Sequence, residues 1–74
     1  MTYNELKQSV GWGEEYNFYL NDEEIWISHN EDGYYLTRED GTYQEFKTSE
    51  ELFQKGRINN KTILELWDDI NGQF

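Results

Sequence analysis

The chain contains no cysteine, no proline and no alanine among its 74 residues, and only one histidine. Without cysteine, neither a disulfide nor a thiolate metal site can reinforce the fold, and no thiol nucleophile is available. Without proline, no locked φ interrupts an element. Basic residues are scarce too: six Lys and Arg face sixteen Asp and Glu, leaving a net charge of −10. A chain so acidic repels phosphate, which argues against direct binding to nucleic acid. No apolar run approaches the roughly 20 residues of a membrane span. No charged-then-apolar leader opens the sequence, so a soluble, cytoplasmic protein is expected.

What the chain does have is aromatics. Three Trp, six Tyr and four Phe make up 18% of it, and each large ring buries roughly 150–250 Å². That content lets residues 1–74 form one small domain near the lower size limit for an unaided core. The charge is uneven. Residues 1–37 hold eight acids and one base, Lys7, whereas residues 38–74 hold eight acids and five bases. Blocks of one sign often face a partner.

Periodicity gives an α+β fold. Thr2 and Glu5 have capping-box spacing, Leu6 and Val10 share a helical face, and Gly11 is a natural stop. "EYNFYL" and "IWISH" then alternate with the period of half-buried strands. The tripeptide Glu-Asp-Gly occurs twice, at 31–33 and 39–41, each time between strand-forming runs. Asp-Gly in that setting is a strong hairpin signal because glycine accepts positive φ. Residues 14–46 therefore read as a four-stranded antiparallel meander. Thr48 with Glu51, and Thr62 with Glu65, open two more helices. In the last, Ile63, Leu66, Trp67 and Ile70 form one apolar stripe closed by Gly72. The expected order is α-β-β-β-β-α-α, with a short N-terminal helix and two C-terminal helices packed on the sheet.

No constellation of catalytic residues is found, and no cofactor or metal is expected. Counted from Ser28, the run to Glu39 places Asn30, Asp32, Gly33 and Glu39 as in an EF-hand loop. Ser28 stands where that loop wants Asp, and the flanks alternate as strands where it needs helices. "GWG" at 11–13 precedes a strand and has too few glycines to cradle phosphate. His29 lacks a visible partner. Asp68 and Asp69 fall on the solvent side of a helix, and a domain of this size is expected to lack a deep substrate cleft. The chain reads as a binding protein, not an enzyme.

Alternation assigns two sheet faces. Tyr16, Phe18, Leu20, Ile25, Ile27, Tyr34, Leu36 and Phe46 point inward, while Tyr19, Trp26, Tyr35 and Tyr43 point outward, one ring from each strand. Two readings of the outer row follow: cross-strand packing beneath the first helix, or an open contact surface. Glu14, Glu15, Asp22, Glu23, Glu24, Glu31 and Asp32 fall at strand ends and hairpin tips beside it. Carboxylates at i and i+2 along a strand would stand about 6.6–6.8 Å apart, a phosphate-like interval. The candidate binding residues are these seven acids and four outward aromatics, and the expected partner is a basic protein.

Trp26, Gly33, Tyr34, Tyr35, Thr42 and Phe46 resemble part of a WW domain over 21 residues, although that family's terminal proline is missing. At class level the chain also resembles small acidic phage proteins that imitate DNA to inhibit restriction or CRISPR nucleases. No family motif of theirs is matched and no residue is carried over. That resemblance implies a DNA-mimic inhibitor of a nuclease or other nucleic-acid-binding protein. The alternatives are a generic protein-interaction or immunity-type module, a homodimer using the aromatic face, and a carbohydrate- or peptide-binding module.

Overall fold

A computed structural model describes all 74 residues. Helix α1 (Tyr3–Gly11) leads into strands β1 (Tyr16–Leu20), β2 (Glu23–Asn30), β3 (Gly33–Arg38) and β4 (Tyr43–Phe46). Helices α2 (Ser49–Lys55) and α3 (Ile63–Ile70) follow, and one 3-10 turn spans Asn71–Gln73. The four strands form a single antiparallel sheet in the order β1-β2-β3-β4, as the sequence pattern predicts. No helix is long and apolar enough to cross a membrane.

Local chemistry accounts for the turns. Between β1 and β2, Asn21 and Asp22 take φ of 50° and 66°, the mirror-image turn whose twist matches its flanking strands. Asn and Asp tolerate this region better than other side-chain-bearing residues. The two Glu-Asp-Gly repeats differ from one another. Gly41 has the expected positive φ of 92°. Gly33, at a nearly extended φ of 159°, starts β3, and a Cβ there would lie 2.5 Å from the carbonyl oxygen of Phe46. Close approach of β4 sets the requirement at Gly33. The turn before it is held by Asn30, whose Oδ1 accepts from the N–H groups of Asp32 and Gly33 at 2.8 and 3.2 Å.

Helix starts follow their caps. At α1 and α3 the threonine hydroxyl accepts from the third residue's N–H, and the glutamate returns to the threonine N–H. At α2, Thr48 accepts from Glu51 N–H without the return bond. Helix α3 ends at Ile70, short of Gly72, and the 3-10 turn continues it. Phe74 then stacks on Trp67 at 5.5 Å and meets Tyr16 and Phe18 edge-on or tilted at 5.7 and 5.8 Å.

Thirteen hydrophobic residues form one core, and every helix contributes to it: Leu6 and Val10 from α1, Leu52 and Phe53 from α2, Ile63, Leu66 and Ile70 from α3. They meet Phe18, Leu20, Ile25, Ile27 and Leu36 on the inner sheet face, with Tyr16, Tyr34 and Phe46 half-buried at its margin. Helix α1 therefore packs on the same side as α2 and α3, so the reading that it covers the outer aromatics is overturned. Its only wholly buried side chains, Leu6 and Val10, join an apolar core in preference to a face bearing hydroxyls and carboxylates. Ile58 is also fully buried, fixed by a bridge to Lys61 across Asn59 and Asn60 at φ 53° and 68°.

Candidate functional site

With all three helices on one side, the sheet is a two-layer slab whose outer face is bare. Register arranges that face in rows across the strands. The middle row runs Asn17, Trp26, Thr37, Tyr43. On one side of it Tyr19 stands opposite Glu24; on the other Ser28, Tyr35 and Glu45 are aligned. One step of alternation beyond the strands adds Glu39 to the first of these flanking rows and Glu15 to the second. The rows are about 6.7 Å apart. Carboxylates thus lie at both ends of the face, each end also holding one tyrosine, and Trp26 and Tyr43 occupy its middle.

Exposure varies among the rings. Tyr19 and Tyr43 are 52% and 61% exposed, while Trp26 and Tyr35 are half-buried among their neighbours. The ring of Tyr35 meets that of Tyr43 edge-on at 5.8 Å. Its hydroxyl donates to Asn30 Oδ1 at 3.2 Å and, more weakly, to Glu45 Oε2 at 3.4 Å. Glu24 accepts from Asn17 Nδ2 at 2.6 Å, and Glu39 Oε1 accepts from the Glu24 N–H at 3.3 Å. These bonds orient the carboxylates without neutralising them. Within the strands the one base, Arg38, is on the helix side, and the same step of alternation beyond β4 adds a single base, Lys47, past Glu45 at the margin of the face.

The seven candidate acids do not form one cluster. Glu14, Glu15, Glu31 and Asp32 lie at one end of the sheet, and Asp22, Glu23 and Glu24 at the other, roughly 25 Å away at the strand rise. Glu14, Glu15, Asp22, Glu31 and Asp32 are exposed, although Glu15 Oε2 also accepts from the His29 N–H at 3.3 Å. Glu23 is different. It faces the helix side and makes a two-pronged pair with Arg38, Nε to Oε2 at 2.9 Å and Nη2 to Oε1 at 2.6 Å. The Arg38 guanidinium holds the Glu23 carboxyl below its ordinary range, and Arg38 is further anchored by Asn59 Oδ1 at 3.2 Å.

One expectation about geometry changes. No strand places carboxylates at two successive outward positions, because the alternate outward sites hold Asn17, Trp26, Thr37 and Tyr43. A phosphate-like ladder along one strand is therefore absent, and the acidic positions are set by rows across strands. Two open surface grooves flank the helices. A groove of about 500 Å³ lies between α1 and α2, lined by Asn4, Lys7, Gln8, Ser49, Glu50 and Phe53. A second, about 410 Å³, lies between the β1–β2 turn and α3. Neither sets a nucleophile beside a base, and His29 is in neither; its Nε2 is 2.7 Å from the Gly13 carbonyl oxygen.

Sequence reasoning missed Glu39, which one further step of alternation from Thr37 would have found. It also missed Trp12, which is 75% exposed just past α1 and which no periodicity marks. No group of three or more His, Cys, Asp and Glu residues is placed to hold a metal ion. No family model matches the chain, and comparison with curated proteins and with solved structures finds no significant match.

Proposed function

We propose that this protein is a non-enzymatic binding module whose bare sheet face docks on a basic protein. Its most specific form is a DNA-mimicking inhibitor of a nuclease or other nucleic-acid-binding protein. One observation carries the reading: the outer face combines Tyr19, Trp26, Tyr35 and Tyr43 with Glu15, Glu24, Glu39 and Glu45, against the single base Lys47 at its margin.

Each part of the face suits an arginine- or lysine-rich surface. Carboxylates accept paired N–H bonds from guanidinium, and ring faces attract cations. Tyr and Trp are the residue types most often found as binding hot spots. The net charge of −10 draws a cationic partner from a distance and accelerates encounter. Size is adequate as well. The molecule measures 30 × 27 × 18 Å, so its broad side is on the scale of the roughly 800 Å² per partner of a standard interface.

The test is binding of the purified chain to a panel of basic DNA-binding proteins, with duplex DNA as competitor and salt as variable. A true mimic is displaced by DNA and loses affinity steeply between low and moderate salt. Affinity indifferent to both would replace this reading with an apolar interface. If Trp26→Ala abolished binding to a sugar or a neutral peptide while charge reversals left it unchanged, the face would be a carbohydrate or peptide site instead.

A further inference from the structure

The two edges of the sheet are finished differently. Arg38 N–H donates to the Thr42 carbonyl at 2.8 Å, and the register continues through Leu36 opposite Gln44 and Tyr34 opposite Phe46. In an antiparallel ladder this directs the backbone groups of Gln44 and Phe46 toward β3, and those of Tyr43 and Glu45 out of the sheet. By the same alternation, Asn17 and Tyr19 carry the outward groups of β1. At Tyr19 both are occupied: its N–H donates to Gln73 Oε1 at 2.6 Å, and Gln73 Nε2 donates to its carbonyl at 2.7 Å.

Strand β4 has no such cover. Its one comparable contact ties the chain beneath the sheet: Gln44, on the helix side, accepts from Arg57 N–H at 3.0 Å and donates to Arg57 carbonyl at 2.7 Å. The next-door Gly56 lies against Leu36 on the inner face. The edge has no proline and no break in register. Its guards are its length of four residues, the carboxylate of Glu45, and Lys47 just beyond it. An extended partner whose bases meet Glu45 answers the main one of these.

The geometry points to β4 as the acceptor edge for an extended, Lys/Arg-bearing segment of a protein partner, added as a fifth strand. The outward N–H and C=O groups of Tyr43 and Glu45 supply the main-chain bonds of such an addition. Side chains of the guest strand then stand beside Tyr43 and Glu45 on the outer face. A base opposite Glu45 makes a favourable cross-strand pair, and one beside Tyr43 lies against its ring. A second copy of this chain satisfies the same backbone groups but brings −10 against −10, with Glu45 inside the pairing strand. The inference shares the charge argument of the proposed function, yet it is carried by backbone groups that the face reading does not use.

The experiment uses the full chain and a Lys-Val-Lys-Val-Lys-Val-Lys peptide, with two further versions N-methylated at the lysine or the valine nitrogens. Each version loses the N–H row of one peptide edge. The expected result is that the parent binds, slows exchange and shifts the amide resonances of Tyr43 and Glu45, and that one methylated version binds about tenfold more weakly or worse. Glu45→Pro deletes one outward N–H and no ladder bond, so it weakens binding by more than Glu45→Gln does. Equal binding of all three peptides, with shifts confined to Trp26 and its row, would overturn the edge assignment and leave the face reading standing. Sedimentation of the free chain as a dimer that protects the Tyr43 and Glu45 amides would overturn it in favour of a second copy. Edge binding that survives while basic DNA-binding proteins fail to bind would sink the proposed function alone.

Discussion

The side-chain amide of Gln73 lies against the main chain of Tyr19 as a neighbouring strand would, accepting from its N–H at 2.6 Å and donating to its carbonyl at 2.7 Å across 54 residues of sequence. This closes part of the β1 edge without adding a strand. Gln73→Ala removes both bonds at a partly solvated site, where each contributes at the low end of roughly 0.5–1.5 kcal/mol. The expected loss is about 1 kcal/mol, or a fall in Tm of about 4–8 °C for a domain of this size. Thermal unfolding checks the loss, and faster hydrogen exchange at the Tyr19 amide checks its location.

The two turn-region glycines separate a steric demand from a conformational one. Gly33→Ala places a methyl 2.5 Å from the Phe46 carbonyl oxygen, so β4 must shift. Gly41→Ala meets nothing within 4 Å and bears only the left-handed backbone, a cost of roughly 1–2 kcal/mol. Gly33→Ala is expected to cost more, up to about 3 kcal/mol as in other overpacked sites, and to broaden the β3–β4 resonances. Chemical denaturation of the two variants side by side ranks them; the reverse order would remove the close approach of β4 as the reason for Gly33.

Four carboxyls, of Glu5, Glu23, Asp40 and Glu65, are held below their ordinary range. Hydrogen bonds from Thr2, Arg38, Thr42 and Thr62, respectively, are the leading cause. A carboxyl depressed by folding contributes stability that is complete above its unfolded value. That stability is lost as pH falls through the folded one. These four therefore weaken the fold only in the acid range, from about pH 4.5 downward at ordinary unfolded values. Arg38→Gln is expected to return Glu23 toward the normal range while leaving Glu5 and Glu65 unmoved, read by carboxyl-carbon NMR titration.

Salt is expected to act in opposite directions on folding and on binding. The free chain carries −10, and Glu24 and Glu39 are neighbours across two strands of one face. Added salt screens their repulsion and raises Tm modestly. Binding to a basic partner instead weakens as salt rises. Glu24→Gln with Glu39→Gln should raise Tm at low salt and flatten the salt dependence of binding. Double substitution that lowers both stability and affinity equally would identify these acids as structural supports.

Much of the architecture is legible in local pattern because the physics there is local. Period-two alternation separates Phe18, Ile25, Ile27 and Leu36 from Tyr19, Trp26 and Tyr43, and burial follows that division. The threonine–glutamate spacings mark helix starts because both partners lie within one turn. Contacts between distant residues leave no such mark. Gln73 and Gln44 form amide pairs over 54 and 13 residues, and nothing near either glutamine in sequence distinguishes it from a solvated side chain. The side on which α1 packs is also settled only when α2 and α3 have built a core for Leu6 and Val10 to enter. Glu23 sits beside Glu24 in sequence, yet one faces Arg38 and the other Asn17, because adjacent strand residues point to opposite sides.

That last arrangement has a consequence for how such a chain can change. Letters governing folding and letters governing recognition are interleaved one by one along each ribbon, so substitution can revise either set while sparing its companion. Losing or gaining a single amino acid inside β2 has no such latitude: it would carry Trp26 into the interior and Ile27 out to solvent in the same stroke. Variation in length is therefore confined to the hairpin tips, whereas the composition of the bare face is open to drift.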